Sequence, residues 1–307
     1  MDTPEQVREY TALLPEAAFT VCRLRVDSAE LKERFLARGW RPDLLREAVI
    51  EAEALERSNY ADVSVDTGGL AVSETARLVC ERVGGWPGTL PAVTFHRVVD
   101  QQNPPTSQAD AAPASEPVPV LWLSGATAVG KSAVGYQIFM QVYRTGVRAA
   151  YVDVKQIGAL RPAADDDVDS HRLKARNLAA IWAGHRAAGA RCLIVSGEAV
   201  SAEAVHGYAE LLHDVALTVC RLHAGPATLA ERVARRGQGG GPTTPGDELR
   251  GLGSGTLHRI AGRAAHEAVA LDSAGAGELR VDTDGRSVEE VAADVRARGG
   301  DWPNLLP

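Results

Sequence analysis

Aromatic residues are scarce in this sequence: four Phe, five Trp and six Tyr among 307 residues. Most burial must therefore come from small aliphatic side chains, and a 45% hydrophobic content is enough for one large or two small cores. Cysteine is also sparse. Cys22, Cys80, Cys192 and Cys220 form no CxxC pair, and Cys22, Cys192 and Cys220 sit in apolar, strand-like runs. They read as buried thiols in a reducing cytoplasm. No apolar run approaches the roughly 20 residues needed to span a bilayer, which argues against a membrane partner. The opening "MDTPEQVREY" has no basic segment followed by an apolar one, so no export signal is expected and the location reads as cytoplasmic. Positive charge is in deficit: the net charge of −7 disfavours nucleic acid as a partner held by bulk charge. The eight histidines show no metal-ligand spacing, and no Ser–His–Asp arrangement can be placed from spacing.

What the sequence does contain is a repeat. "TVCRLRVDSAELKERFLARG" from Thr20 matches "TVCRLHAGPATLAERVARRG" from Thr218, 198 residues later. "VDTGGLAVSETARLVCERVGGWP" from Val65 matches "VDTDGRSVEEVAADVRARGGDWP" from Val281, 216 residues later. The later copy carries 18 extra residues, placed around "GQGGGPTTPGDELRGLG". Matches this dense indicate an internal duplication. The duplication is incomplete, because the earlier copy has no counterpart of Leu121–Gly197. The expected organisation is a partial unit at 1–95, a Pro/Ala/Ser-rich linker at 96–117 and a complete unit at 118–307.

In the complete unit, apolar runs such as "VPVLWLSG", "RAAYVDV", "RCLIVSG" and "VALTVCRL" alternate with segments of helical periodicity. Ser170 is positioned to cap the helix that starts near His171, and Gly146 and Gly189 to end their helices. This alternation predicts an α/β fold of three layers, with a parallel sheet covered on both faces and ligands at the carboxyl ends of its strands. The partial unit reads as the back half of the same fold.

Gly125-Ala126-Thr127-Ala128-Val129-Gly130-Lys131-Ser132 fits GxxxxGK[ST], entered by a strand and left by a helix that starts near Ala133. Glycines let backbone N–H groups curl around phosphates without a clashing Cβ, and the helix start adds positive dipole. Lys131 is placed to neutralise the β and γ phosphates of a nucleoside triphosphate, and the Ser132 hydroxyl to ligate Mg²⁺. ATP and Mg²⁺ are the expected cofactors.

These motifs resemble the P-loop kinases of small molecules, the group that holds adenylate, shikimate, gluconate and chloramphenicol kinases. The likeness covers about Val118–Pro303 and rests on the phosphate loop, "LIVSGEAV", "LAERVARRG" and "VDTDGRSVEEVAADV". The chain also resembles actinobacterial proteins labelled ATP-binding or AAA-family ATPase, in which the second strand reads D-x-D followed by Q-I-G. Here that strand reads "YVDVKQIG": Asp153 fits the first acid, and Lys155 stands in place of the second. The resemblance implies a kinase that moves the γ-phosphate of ATP to an unidentified small-molecule acceptor. It gives Asp153 a catalytic or metal-binding role; the alternative is an Asp that caps the next turn. Lys155 leaves three readings open: Asp153 suffices, Lys155 binds an anionic group, or chemistry is weakened. The last favours a nucleotide-binding regulator or slow ATPase without an acceptor. Arg232 and Arg236 share a helix face and are candidates to stabilise the moving phosphate, against the alternative of salt-bridged helix residues. Arg161, His171, Arg172, Lys174 and Arg176 follow the second strand, where such kinases bind their acceptor. The Gly-rich loop after Arg236 is a candidate lid. The partial unit leaves strand edges uncovered, a surface for packing on the complete unit or, as a homodimer, on a second chain; a start at an internal Met of a longer tandem protein is the simpler account.

Overall fold

A computed structural model describes residues 4–13, 17–37, 42–58, 61–84, 117–160, 162–167, 169–197, 202–240, 247–275 and 277–304. The chain divides into two compact units, Met1–Ser107 and Gln108–Pro307. The linker expected at 96–117 lies, apart from residue 117, outside the described residues.

The leading unit runs α1 (Pro4–Ala12), β1 (Cys22–Arg25), α2 (Ser28–Ala37), a 3₁₀ turn (Pro42–Leu44), α3 (Leu45–Arg57), β2 (Val63–Asp66) and α4 (Val72–Arg82). β1 and β2 pair in parallel, with Cys22 opposite Val63 and Leu24 opposite Val65. Asp27 starts α2 by accepting hydrogen bonds from the Ala29 and Glu30 amides. Glu74 reaches back to the Ala71 amide at the start of α4, where alanine has no side chain to reciprocate.

The trailing unit continues with β3 (Val118–Ser124), α5 (Lys131–Tyr143), β4 (Ala149–Asp153), α6 (His171–Ala187), β5 (Cys192–Ser196), α7 (Ala202–Ala209), β6 (Val215–His223), α8 (Pro226–Gly237), α9 (Ser254–Ser273), β7 (Leu279–Asp282) and α10 (Val288–Arg298). Its five strands form one parallel sheet in the order β4-β5-β3-β6-β7. The near-continuous apolar strands have two buried faces, as a sheet with helices on both sides requires. Leu121 and Leu123 of β3 pack with Ile138 and Val142 of α5 and Val291 and Val295 of α10. Val120 and Trp122 point the other way, onto Leu178 and Trp182 of α6 and Tyr208 of α7. The expected three-layer α/β fold is thus present in this unit.

Two local expectations resolve differently. α6 does begin at His171, but Ser170 takes left-handed backbone (φ 55°) and its hydroxyl caps nothing. Asp167 caps instead, its carboxylate accepting from the Arg172 and Leu173 amides. A carboxylate reaching in from the preceding turn satisfies two of the orphan amides where a hydroxyl would satisfy one. Gly146 and Gly189, with φ of 84° and 88°, follow the ends of α5 and α6 as expected.

The two units share a register. β6 pairs with β7 so that Cys220 faces Leu279 and Leu222 faces Val281, the positions that correspond to Cys22–Val63 and Leu24–Val65 at the two sequence offsets. The capping box at α10 is complete: Ser287 Oγ accepts from the Glu290 amide, and Glu290 accepts from the Ser287 amide.

Candidate active site

The central strand β3 delivers the chain into the Gly125–Ser132 loop between its neighbours β5 and β6. Gly125 has φ 143°, and a Cβ there would stand 2.5 Å from the Leu222 carbonyl oxygen, so only glycine fits. Ala128 (φ 65°) and Gly130 (φ 109°) take left-handed backbone before α5 begins at Lys131. The Lys131 ammonium donates to the Gly125 and Ala126 carbonyls at 2.8 and 3.0 Å, across the mouth of the loop. A helix N-terminus and an ammonium group thus point into one concavity, the combination that attracts phosphate.

Ser132 and Asp153 meet as a pair. The Ser132 hydroxyl donates to Asp153 Oδ2 at 2.6 Å. The other carboxylate oxygen, Oδ1, accepts from the Lys155 amide at 3.0 Å, so Asp153 caps its strand end and faces the loop at once. Beside them, the Tyr151 hydroxyl bonds Ser196 Oγ at 2.9 Å and donates to the Ser132 carbonyl. Burial raises the Tyr151 phenol to about 12 against the lowering effect of the Ser196 bond, so it stays protonated and serves as a donor. Lys155 lies 3.3 Å from the Glu248 carboxylate, which follows the Gly-rich loop.

The two arginines have separate duties. Arg232 donates to the Val129 carbonyl of the phosphate loop at 2.8 Å and to the hydroxyl and carbonyl of Thr283, both at 2.9 Å. Burial holds its pKa below the ordinary guanidinium value, yet arginine remains a cation. Arg236 grips Asp247 through two bonds of 3.0 and 2.8 Å. Burial alone would raise the Asp247 carboxyl; the Arg236 bond, the Leu249 amide and the nearby positive charges outweigh it and hold it below the usual range.

Two cavities adjoin the loop. The smaller, about 360 Å³, is bounded by Ala128–Val134, Asp153, Arg232, Arg286 and Ser287. The larger, about 540 Å³, is bounded by Gly125, His171, Lys174, Arg263, Glu267 and Leu271, among others. Thr127, Lys155 and Arg236 line both. Loop residues 127–133, Asp153 and the two arginines therefore border one space. Of the basic residues after the second strand, His171 and Lys174 reach the larger cavity. Arg172 instead pairs with Asp166 on the surface, and Arg161 lies outside the described residues. Residues 241–246 of the candidate lid also lie outside them. Glu267, Glu248, Arg263 and Arg286 border the cavities without any motif to announce them. The one signal in the sequence was the spacing of Arg263, Glu267 and Leu271, which puts them on one face of α9. Among the described residues no cluster of three or more His, Cys, Asp or Glu is arranged to hold a metal, and no helix is long and apolar enough to cross a membrane.

No family model and no curated protein matches the chain. Solved structures do. The tunicamycin resistance protein of Deinococcus radiodurans is similar over 60% of this chain and 96% of its own, at 19% identity and a TM-score of 0.40. A gluconokinase from Sinorhizobium meliloti 1021 is similar over 59% and 91%, at 16% identity and 0.39. Shikimate kinase from Acinetobacter baumannii, solved in complex with shikimate, is similar over 62% and 97%, at 13% identity and 0.39.

Proposed function

We propose that the trailing unit binds ATP with its triphosphate in the Gly125–Ser132 loop and transfers the γ-phosphoryl group to a small molecule held in the larger cavity. The observation that carries this reading is the Lys131 ammonium poised over the loop mouth with the Ser132–Asp153 oxygen pair beside it. Two hard oxygen donors in contact suit Mg²⁺, so Ser132 and Asp153 are the residues that would hold it. Bound there, the ion would neutralise phosphate charge. Lys131 binds and orients the β and γ phosphates. Arg232 holds the loop in shape through Val129. Arg236, at the border of both cavities, becomes a phosphate ligand on leaving Asp247. The nucleoside would lie toward Thr283–Val288 in the smaller cavity.

A second reading, a nucleotide-binding regulator or slow ATPase, is favoured by Lys155. It puts a cation tied to Glu248 where the resemblance leads one to expect a second acid. Calorimetry with Mg·ATP, followed by ADP release with and without a panel of hydroxyl-bearing metabolites, tests both. Binding with acceptor-dependent turnover, lost in Lys131→Ala, supports the kinase. Binding that no acceptor stimulates supports the regulator. No heat of binding with folded protein removes both.

We also infer that the leading unit is a partial copy of the trailing one. The shared strand register supports this, as does a second arginine bridge: Arg34 donates to Thr67 Oγ1 at 3.0 Å and to the Thr67 carbonyl at 2.7 Å.

A further inference from the structure

Asp153, the acid that the second strand offers, is already committed to the loop side of the site. Both oxygens of Asp153 are engaged, one by the Ser132 hydroxyl and the other by the Lys155 amide. That geometry suits holding a cation beside Ser132, and Asp153 lines the smaller cavity but not the larger one. At the next position along the strand end that could carry an acid stands Lys155. Three carboxylates line the larger cavity: Asp169, Glu248 and Glu267. Asp169 belongs to the α6 side of the cavity. Glu248 is exposed and tied to Lys155. Glu267 alone of the three is bonded to the phosphate loop, its Oε2 accepting from the Thr127 amide at 2.9 Å. It reaches the loop from α9, a helix with no counterpart in the motif from which a base would be sought.

Resting on the kinase reading above, we propose that Glu267 is the carboxylate that takes the proton from the acceptor hydroxyl. The Thr127 N–H fixes Oε2, and Glu267 lines the larger cavity together with Gly125, Thr127 and Lys155. In the step, the acceptor oxygen forms a bond to the γ-phosphorus. The bond from that phosphorus to the β–γ bridging oxygen breaks, and ADP leaves with its electron pair. The hydroxyl proton passes to Glu267 and then to solvent. The second acid of this site is thus displaced from the strand to the helix behind it. Lys155, freed of that duty, offers positive charge to the same space.

Groups of both signs surround Glu267: Arg263 on its own helix, Lys155 from the turn after β4, Asp169, His171 and Lys174 from the α6 side, and Arg236 and Glu248 from around the Gly-rich loop. Glu267→Gln keeps the size and the oxygen that accepts from Thr127 but cannot take a proton. It is expected to bind Mg·ATP as tightly as the parent, or more tightly, by calorimetry. Its ADP release, with water or with a hydroxyl-bearing metabolite panel as acceptor, is expected to fall by about 100-fold or more, the range of general-base loss. The acidic limb of the pH–rate profile should vanish with it and survive in Glu267→Asp. Three results overturn the assignment: turnover in Glu267→Gln within threefold of the parent, an acidic limb that disappears in Asp153→Asn but not in Glu267→Gln, or a parent that binds Mg·ATP and transfers phosphate to nothing, water included. A parent that does not bind Mg·ATP at all fails earlier, at the kinase reading itself.

Discussion

Arg34 and Arg232 make the same bridge in different company. Each donates to the hydroxyl and the carbonyl of the threonine directly after the next strand, Thr67 in one unit and Thr283 in the other. The third partner differs. Arg34 turns to Glu30, on its own helix, at 2.6 Å, whereas Arg232 turns to the Val129 carbonyl of the phosphate loop. The bridge itself is architecture, since it exists where no phosphate loop is present among the described residues. What sets Arg232 apart is its bond to Val129 and its place on the wall of the smaller cavity. Burial makes the same contrast: Leu222 is 1% exposed between β3 and β7, and the corresponding Leu24 is 57% exposed on β1, which pairs only with β2 among the described residues.

The largest way to test that contrast is to truncate the paired leucines. Leu222→Ala should cost about 3 kcal/mol, as buried leucines do, and Leu24→Ala less than about 0.5 kcal/mol. Denaturant unfolding of the full chain measures both, and equal losses would mean that Leu24 is covered in solution. The arginines come next. Arg232→Ala removes two hydrogen bonds to the buried Thr283 and one to the Val129 carbonyl, and should destabilise by about 2 kcal/mol, while lowering Mg·ATP affinity about tenfold through the loosened loop. Arg34→Ala, half-exposed and screened, should cost about 1 kcal/mol or less and leave the calorimetric affinity unchanged.

Smaller effects follow from titration. The Asp247 carboxyl has a folded pKa below its unfolded value, so its tie to Arg236 stabilises fully above the ordinary carboxylate range near 3.8 and fades as pH falls through the lower folded value. Melting temperature should therefore drop less steeply with acid in Asp247→Asn than in the parent. The smallest test leaves stability untouched. Cys220 and Cys192 are pushed up to about 12 by burial, so brief iodoacetamide treatment at pH 8 should spare them and modify the exposed Cys80. Cys22, the half-buried counterpart of Cys220, should react at an intermediate rate, as peptide mass spectrometry will show.

Local pattern carried much of this structure. The alternation of apolar strands with amphipathic helices led to the parallel sheet, because burial on both faces leaves its mark on every strand residue. The turn from Gly125 to Ser132 was legible because its glycines answer to backbone geometry, which a single sequence records. The Ser132–Asp153 contact could only be guessed, since it depends on how β4 lies two strands from β3. The position of β5 between them was not read from the sequence at all. Glu267 was invisible for the same reason: it meets Thr127 across 140 positions of chain, and a glutamate on a helix has no local feature to distinguish it. The cap of α6 failed on a finer point, a competition between Ser170 and Asp167 that turn geometry decided.

The all-parallel pairing also bears on how the chain is made. β3 leaves the ribosome early, yet its partners are β5 and, on the other side, β6, where Val118 must find Val215. Non-local pairing of this kind slows folding and leaves strand edges bare in the interval. The strand that carries the phosphate loop must therefore wait, apolar on both faces, for chain that has not yet been synthesised. A nascent-chain arrest series should find it protease-sensitive until β6 has emerged.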